Sequence, residues 1–287
     1  MITLLAGQSE AQILPELGGA LAGLSVGGKP VLRPWSGRVE DGPFALACNL
    51  LVPFSNRLSG GGFAFEGMRH SVAANLAGEA CPLHGDGLQR PWVVAAQTTD
   101  RAALRLDCGD IGPFRYAATA SYHLTAGALD TTLAVTNRGP VALPFGLGLH
   151  PWFPRDADTR LQFGATGHWP EGPDHLPTTR GPVAFDSGCP WQQPAPLPQA
   201  WINCGFSGWD GTAQIDQGAA AVSVRITSAG LGTALLYSPS ARADFFCFEP
   251  VTHPVDAHNL PGLPGLVRLA PGNTLGAQMT LVWGQAT

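Results

Sequence analysis

The sequence predicts an all-β fold, a large antiparallel β-sandwich. Period-2 alternation of apolar and polar residues recurs from residue 2 to residue 283. The 37 glycines and 26 prolines punctuate apolar runs instead of forming tracts, the pattern of many short strands joined by turns. No stretch of a dozen residues carries a convincing helical stripe with caps. Many strands with Gly/Pro turns argue for packed sheets. The lack of a fixed-period repeat argues against a propeller.

In chain order, strands are expected at 2–6 and 11–15, and the best helical candidate is short, around 43–51. Strands follow at 62–66, 92–98 and 102–107. The segment 113–124 sets Phe114, Tyr116, Ala118, Ala120, Tyr122 and Leu124 against Arg115, Thr119, Ser121 and His123. The segment 128–137 sets Leu129, Leu133 and Val135 against Asp130, Thr132 and Thr136. After a strand at 160–163, residues 164–200 are Pro-rich and weakly patterned. They read as a long functional loop with a short strand or two, because the strand pattern resumes beyond them with the same character. Further strands are expected at 213–216, 221–228, 233–238, 244–248 and 276–283. One domain over 1–287 is the simplest organisation, and that length buries a large core.

Composition narrows the function classes. Net charge is −5, and charged residues make up 13%, against about 25% in typical domains. No basic stripe appears, so nucleic acid is an unexpected partner. No run of about 18 apolar residues exists to span a membrane. The N-terminus has no basic region followed by an apolar stretch long enough for a signal peptide. The six cysteines form no CxxC and are irregularly spaced, which suits buried thiols in a reducing compartment. The expected localisation is cytoplasmic.

Four stretches carry side chains suited to acid–base chemistry on a polyol. They are NRLSGGGFAFEG (56–67), LHGDGLQRPW (83–92), GLGLHPWFP (146–154) and FFCFEPVTHPVDAHN (245–259). They supply Arg57, His84, His150 and Glu249: a carboxylate, two imidazoles and a fixed donor fork. Glu249 ends an aromatic run and precedes Pro250; alternation puts it on the face of Phe245 and Cys247. A buried carboxylate there is expensive unless paired or used. A strand-end Glu turned to solvent is the plainer alternative. Pro151 drives His150 toward extended or turn geometry, beside Trp152 and Phe153, on whose faces sugar C–H groups stack. A core histidine bonded to a carbonyl is the alternative for His150, and a loop histidine without a role the alternative for His84. Arg57 precedes a glycine run, but the run matches neither GxGxxG nor a P-loop and leads into a strand, so a nucleotide cradle is not indicated. The Arg serves as a fork for hydroxyl oxygens or as half of an ion pair.

Other chemistries lack their signatures. His253 and His258 flank Asp256, and His168 and His175 flank Asp174, but these spacings are not ligand spacings and read as solvated loop histidines. No G-x-S-x-G elbow appears. A glycosidase would need a second carboxylate, such as Asp210 or Asp244, which nothing in the sequence forces toward Glu249.

The order and wording of the four stretches resemble the aldose 1-epimerases (galactose mutarotases). The matching elements are Asn56-Arg57-Leu58 followed by Phe63, Phe65 and Gly67; Leu83-His84-Gly85 with Trp92 downstream; His150-Pro151-Trp152-Phe153 after Gly148; and Glu249-Pro250 followed by Asn259. The matches run from about residue 44 to 260. The resemblance implies a galactose mutarotase-like supersandwich. It also implies interconversion of α and β anomers of a free aldose, with no cofactor or metal. Glu249 would be general base and His150 general acid. Arg57 and His84, with Trp152, Asn203 and Asp210, would bind the sugar. One departure stands out. Where many members carry a hydroxyl-binding Asp in a D-x-x-F element, this chain has Asn203 before Phe206. Asn donates as well as accepts, so sugar preference is open. The competing readings are a hexose-6-phosphate mutarotase, which would need more cations than Arg57 and Arg90 near the motifs, and a non-catalytic carbohydrate-binding β-sandwich. The expected partner is a small free sugar, and the expected state is a monomer or weak dimer.

Overall fold

The computed structural model describes residues 1–219 and 221–284. Two large sheets are built from antiparallel pairings. The larger has eleven strands, in the order Ile2–Ala6, Ser9–Leu14, Ala20–Val26, Cys48–Leu51, Gly148–Pro154, Phe245–Val251, Thr233–Ser238, Ile202–Ser207, Gly167–Trp169 and Val183–Ala184, with Lys29–Pro30 paired to Ala20–Val26. The other has nine, in the order Ala195–Pro196, Arg160–Phe163, Thr212–Asp216, Val224–Ala229, Thr274–Val282, Ala128–Asn137, Phe114–Leu124, Arg101–Ile111 and Val93–Gln97. The expected all-β sandwich is what forms. Among the described residues the helical content is four three-residue 3-10 turns.

The alternation read from the sequence is the alternation of burial. Along Phe114–Leu124 the six apolar residues are buried, while Arg115, Thr119, Ser121 and His123 are more exposed. The facing core contribution from the larger sheet includes Leu149, Phe153, Phe246 and Phe248, all without accessible surface. Phe248 packs against Phe163 of the nine-stranded sheet with ring centroids 5.1 Å apart, and Phe163 packs equally close to Phe206. Each such buried ring contributes roughly 1.5–3 kcal/mol through area removed from water.

Two expectations are corrected. The segment 43–51 is not a helix: a 3-10 turn at Pro43–Ala45 leads into the strand Cys48–Leu51. That strand is buried on both faces, so its continuous apolar run has no period to distinguish it from a buried helix. The histidines of the 252–260 loop are not solvated. His253 accepts a hydrogen bond from the Ser55 backbone N–H, and His258 Nε2 lies 3.0 Å from the Pro144 carbonyl; both rings are buried.

The 164–200 segment holds three short strands, Gly167–Trp169, Val183–Ala184 and Ala195–Pro196. Between the first two, residues 170–178 fold back on themselves, with Gly172 N–H bonded to Leu176 O and Thr178 N–H to Pro170 O.

Candidate active site

Register in the larger sheet builds the site floor. His150 pairs with Asn49, Glu249 with Leu235, and Leu235 with Gly205. Two residues along, Trp152 pairs with Cys247, Cys247 with Tyr237, and Tyr237 with Asn203. Because side chains alternate with period 2, His150, Trp152, Glu249, Tyr237 and Asn203 share one face, opposite the core phenylalanines. Between the Gly148–Val251 and Trp152–Cys247 pairs, register sets His150 across from Glu249. Pro151 and Pro250, which have no N–H to give the ladder, lie in that same interval. His150 Nε2 is 3.3 Å from Glu249 Oε1.

Loops flank this floor and leave an open cavity of about 290 Å³. That is the small end of ligand pockets, about 300–1,000 Å³, and suits a single sugar ring. Arg57, His84 and Glu79 line one side, His175 and Trp201 another, and Phe44 covers His84, His150 and Trp152 at 5.7–6.3 Å.

Each motif residue is held by its own neighbourhood. His84 sits in left-handed geometry, φ 60°, and exchanges hydrogen bonds with Asn56: its backbone N–H donates to Asn56 O, and its Nδ1 accepts from Asn56 N–H. Gly85 follows because a Cβ there would lie 2.1 Å from Val52 O. Burial, and then the nearby His150, push the His84 imidazole well below its ordinary range, so the ring is neutral. With Nδ1 accepting, the single ring hydrogen is on Nε2. His84, His150 and Glu249 bring one ligand-type atom each within 4.8 Å of one another. A metal needs a free imidazole lone pair, which this His84 tautomer lacks; its remaining nitrogen is a donor suited to a sugar oxygen. Arg57 pairs with Glu79 at 3.0 Å. Its backbone carbonyl accepts from Asp256 N–H, and Asp256 is tied in turn to Ser59 and Asn259.

The floor pair is electrostatically unusual. Burial pushes the Glu249 carboxyl up to about 8, against the opposing pull of Arg57. Burial pushes the His150 imidazole down to about 3. Each charged form is disfavoured by desolvation, so at neutral pH the pair holds one proton, resting on the carboxyl. Among the described residues, Glu249 Oε2, His150 Nδ1 and Trp152 Nε1 are buried without a hydrogen-bond partner. Unpartnered buried polar atoms are costly and collect where a ligand completes them. Trp152 stacks on His150 at 4.8 Å, and the Arg33 guanidinium lies 4.2 Å from the Trp152 ring centroid.

Six of the residues singled out in the sequence converge here: Arg57, His84, His150, Trp152, Asn203 and Glu249. Asp210 does not. It caps the turn before Thr212–Asp216, its Oδ1 accepting from the Thr212 N–H and hydroxyl, and it is absent from the cavity wall. Sequence reasoning missed Phe44, Glu79, Tyr237 and Trp201, and assigned His175 to solvent. Only Tyr237 had a signal, its place on the face of an expected strand; Phe44 lies in the short 3-10 turn Pro43–Ala45, and Glu79 and Trp201 sit in loops without period.

The chain matches the aldose 1-epimerase family model over residues 1–282. It is 36% identical over 274 residues to the uncharacterised Escherichia coli K12 protein YphB, covering 92% of each chain. It is similar to a crystal structure of a candidate aldose 1-epimerase from Escherichia coli K12, with TM-score 0.89, 33% identity and 98% of each chain covered. A galactose mutarotase-like protein from Clostridium acetobutylicum shares the fold at 19% identity, with TM-score 0.83 over 99% of this chain and 95% of that one.

Proposed function

The chain belongs to the aldose 1-epimerase family, and from that premise we propose that it is a mutarotase that interconverts the α and β anomers of a free aldose. The observation that carries this is the His150–Glu249 pair, buried and 3.3 Å apart at the floor of a sugar-sized cavity. Opening a cyclic hemiacetal takes a proton from the C1 hydroxyl and gives one to the ring oxygen. Passage of the shared proton from Glu249 to His150 produces a carboxylate and an imidazolium. The carboxylate then accepts the C1 hydroxyl proton, C1=O forms, the C1–ring-oxygen bond breaks, and the imidazolium protonates the ring oxygen. Rotation about C1–C2 presents the other carbonyl face, and the same groups run the steps in reverse. Positioned acid–base groups typically contribute ~10²–10⁴-fold. Arg57 and the His84 Nε2–H would hold sugar oxygens, and Trp152 would offer a ring face.

Charge on the cavity wall favours an uncharged sugar over a sugar phosphate. Arg57 is the one Lys or Arg side chain among the lining residues, and Glu79 neutralises it. A purely binding module would have no use for the unpartnered acid–base pair. The reading keeps the expectation of a monomer or weak dimer with one domain over 1–287. Polarimetry of freshly dissolved pure anomers, across hexoses, pentoses and deoxy sugars, tests the reading: equilibration should accelerate for at least one, and failure across the panel rejects it.

A further inference from the structure

Asn203 stands where the resemblance leads one to expect a hydroxyl-binding carboxylate, yet a carboxylate is close by. Glu171, in the 170–178 turn, lies behind the cavity wall and is the common partner of three wall residues. Its Oε1 accepts from Asn203 Nδ2 at 2.6 Å and sits 2.6 Å from His175 Nδ1; its Oε2 accepts from Trp201 Nε1 at 2.7 Å. A carboxylate only accepts, so it dictates the orientation of the amide: the NH₂ must face Glu171. No protein group among the described residues donates to Asn203 Oδ1, and Asn203 lines the cavity. The turn that carries Glu171 is itself fixed, by the Glu171–Pro177 bridge and the two backbone hydrogen bonds that close it. Trp201 packs edge-on against Tyr237, with centroids 5.3 Å apart, so the wall runs continuously into the floor.

We propose that Glu171 is a positioning residue that locks Asn203 as a hydrogen-bond acceptor toward the cavity and, with His175 and Trp201, builds the wall that recognises a hydroxyl donor of the sugar. This rests on the mutarotase reading and deepens it. Asn203 then accepts a hydroxyl hydrogen bond as an Asp would, but as a neutral group that can sit against the Glu171 carboxylate. The site selects aldoses that present a free hydroxyl there, and disfavours deoxy or O-alkylated sugars at that carbon.

A charge-swap experiment tests this at pH 8. Asn203→Asp sets a second carboxylate against Glu171 at hydrogen-bond distance, a like-charge contact. Glu171→Gln turns an NH₂ toward Asn203, so the Asn amide reverses and shows the cavity a donor. The double variant Glu171→Gln/Asn203→Asp restores the partners: the Gln NH₂ faces the new carboxylate, its oxygen keeps Trp201, and its second hydrogen meets His175 Nδ1 once that ring carries its hydrogen on Nε2. Each single variant should weaken binding of the preferred aldose about tenfold, with the effect on KM exceeding that on kcat. The double variant should return to within about threefold of wild type. Unchanged affinity in both single variants, or a double variant no better than the worse single, overturns the proposal. Ligand-observed NMR titration reads affinity without turnover. A wild type that binds an aldose but does not exchange its anomers rejects the acid–base reading alone, and the swap still decides this one. A wild type that binds no aldose overturns both.

Discussion

The floor and the rim of the cavity are built differently. The floor residues His150, Trp152, Glu249, Tyr237 and Asn203 lie on four adjacent strands of the larger sheet, their spacing set by register. The rim residues Arg57, Glu79, His175 and Trp201 come from loops, each held by a specific brace: Arg57 by Glu79 and the 252–260 loop, His175 and Trp201 by Glu171. Floor positions are fixed by ladders shared with the core, which suits proton transfer between atoms that must not drift. Rim positions are fixed by a few polar contacts, which a change of one residue can redirect. The chemistry is therefore expected to reside in His150 and Glu249 of the floor, and the choice of sugar in the rim and in Asn203, the floor residue that a rim-loop carboxylate, Glu171, orients.

The largest effect should come from the floor. His150→Asn keeps a polar side chain but removes the group proposed to protonate the ring oxygen, and should cost ~10²–10⁴-fold in kcat. Single-turnover anomer exchange checks this; a loss confined to KM would move His150 from the chemistry to binding. The floor also depends on the core beneath it. Phe248→Ala, on the core face of the strand that carries Glu249, should cost about 3–5 kcal/mol in denaturant unfolding. A cost below 1 kcal/mol would mean that the sheet holds the floor without that packing.

The floor carries a pH-dependent cost as well. A carboxyl raised to about 8 from its ordinary range contributes stability that is present below the unfolded-state value and is lost as pH rises through about 8. Glu249→Gln removes that loss. Its stability relative to wild type should therefore be higher at pH 9 than at pH 5, by on the order of a few kcal/mol. Parallel unfolding curves at both values would show that burial of Glu249 carries no such cost. On the rim, Arg57→Ala should raise KM about tenfold with a smaller effect on kcat, because the guanidinium stays charged and its proposed job is to hold hydroxyls. An equal fall in kcat and kcat/KM would place Arg57 in the transition state and blur the division.

The same contrast explains what could be read from the sequence. Strands such as Phe114–Leu124 were legible because one face meets water and the other the core, so alternation survives. Cys48–Leu51 was not, because both its faces are covered. Gly148–Pro154, also largely buried, has core on one side and site on the other, and its two prolines break the pattern further. Alternation put Glu249 on the right face but could not say which face was inside, since phenylalanines occupy both. His253 and His258 looked like solvated loop residues because only tertiary packing buries them. Asp210 looked available, but its own turn uses it. The rim braces, Glu79 and Glu171 above all, join loops distant in sequence and leave no local trace. Motif wording picked out residues that line the cavity where periodicity could not.

The most direct test is magnetisation transfer between the anomers of a ¹³C1-labelled aldose, followed from pH 5 to 9 in wild type and in Glu249→Gln. The account predicts wild-type exchange that is flat through neutrality and falls above about pH 8, where the shared proton is lost. Exchange in Glu249→Gln should drop to near the uncatalysed rate while sugar binding persists. Near-wild-type exchange in Glu249→Gln, or wild-type exchange that climbs steadily through pH 9, would contradict an acid–base pair that works by sharing one proton.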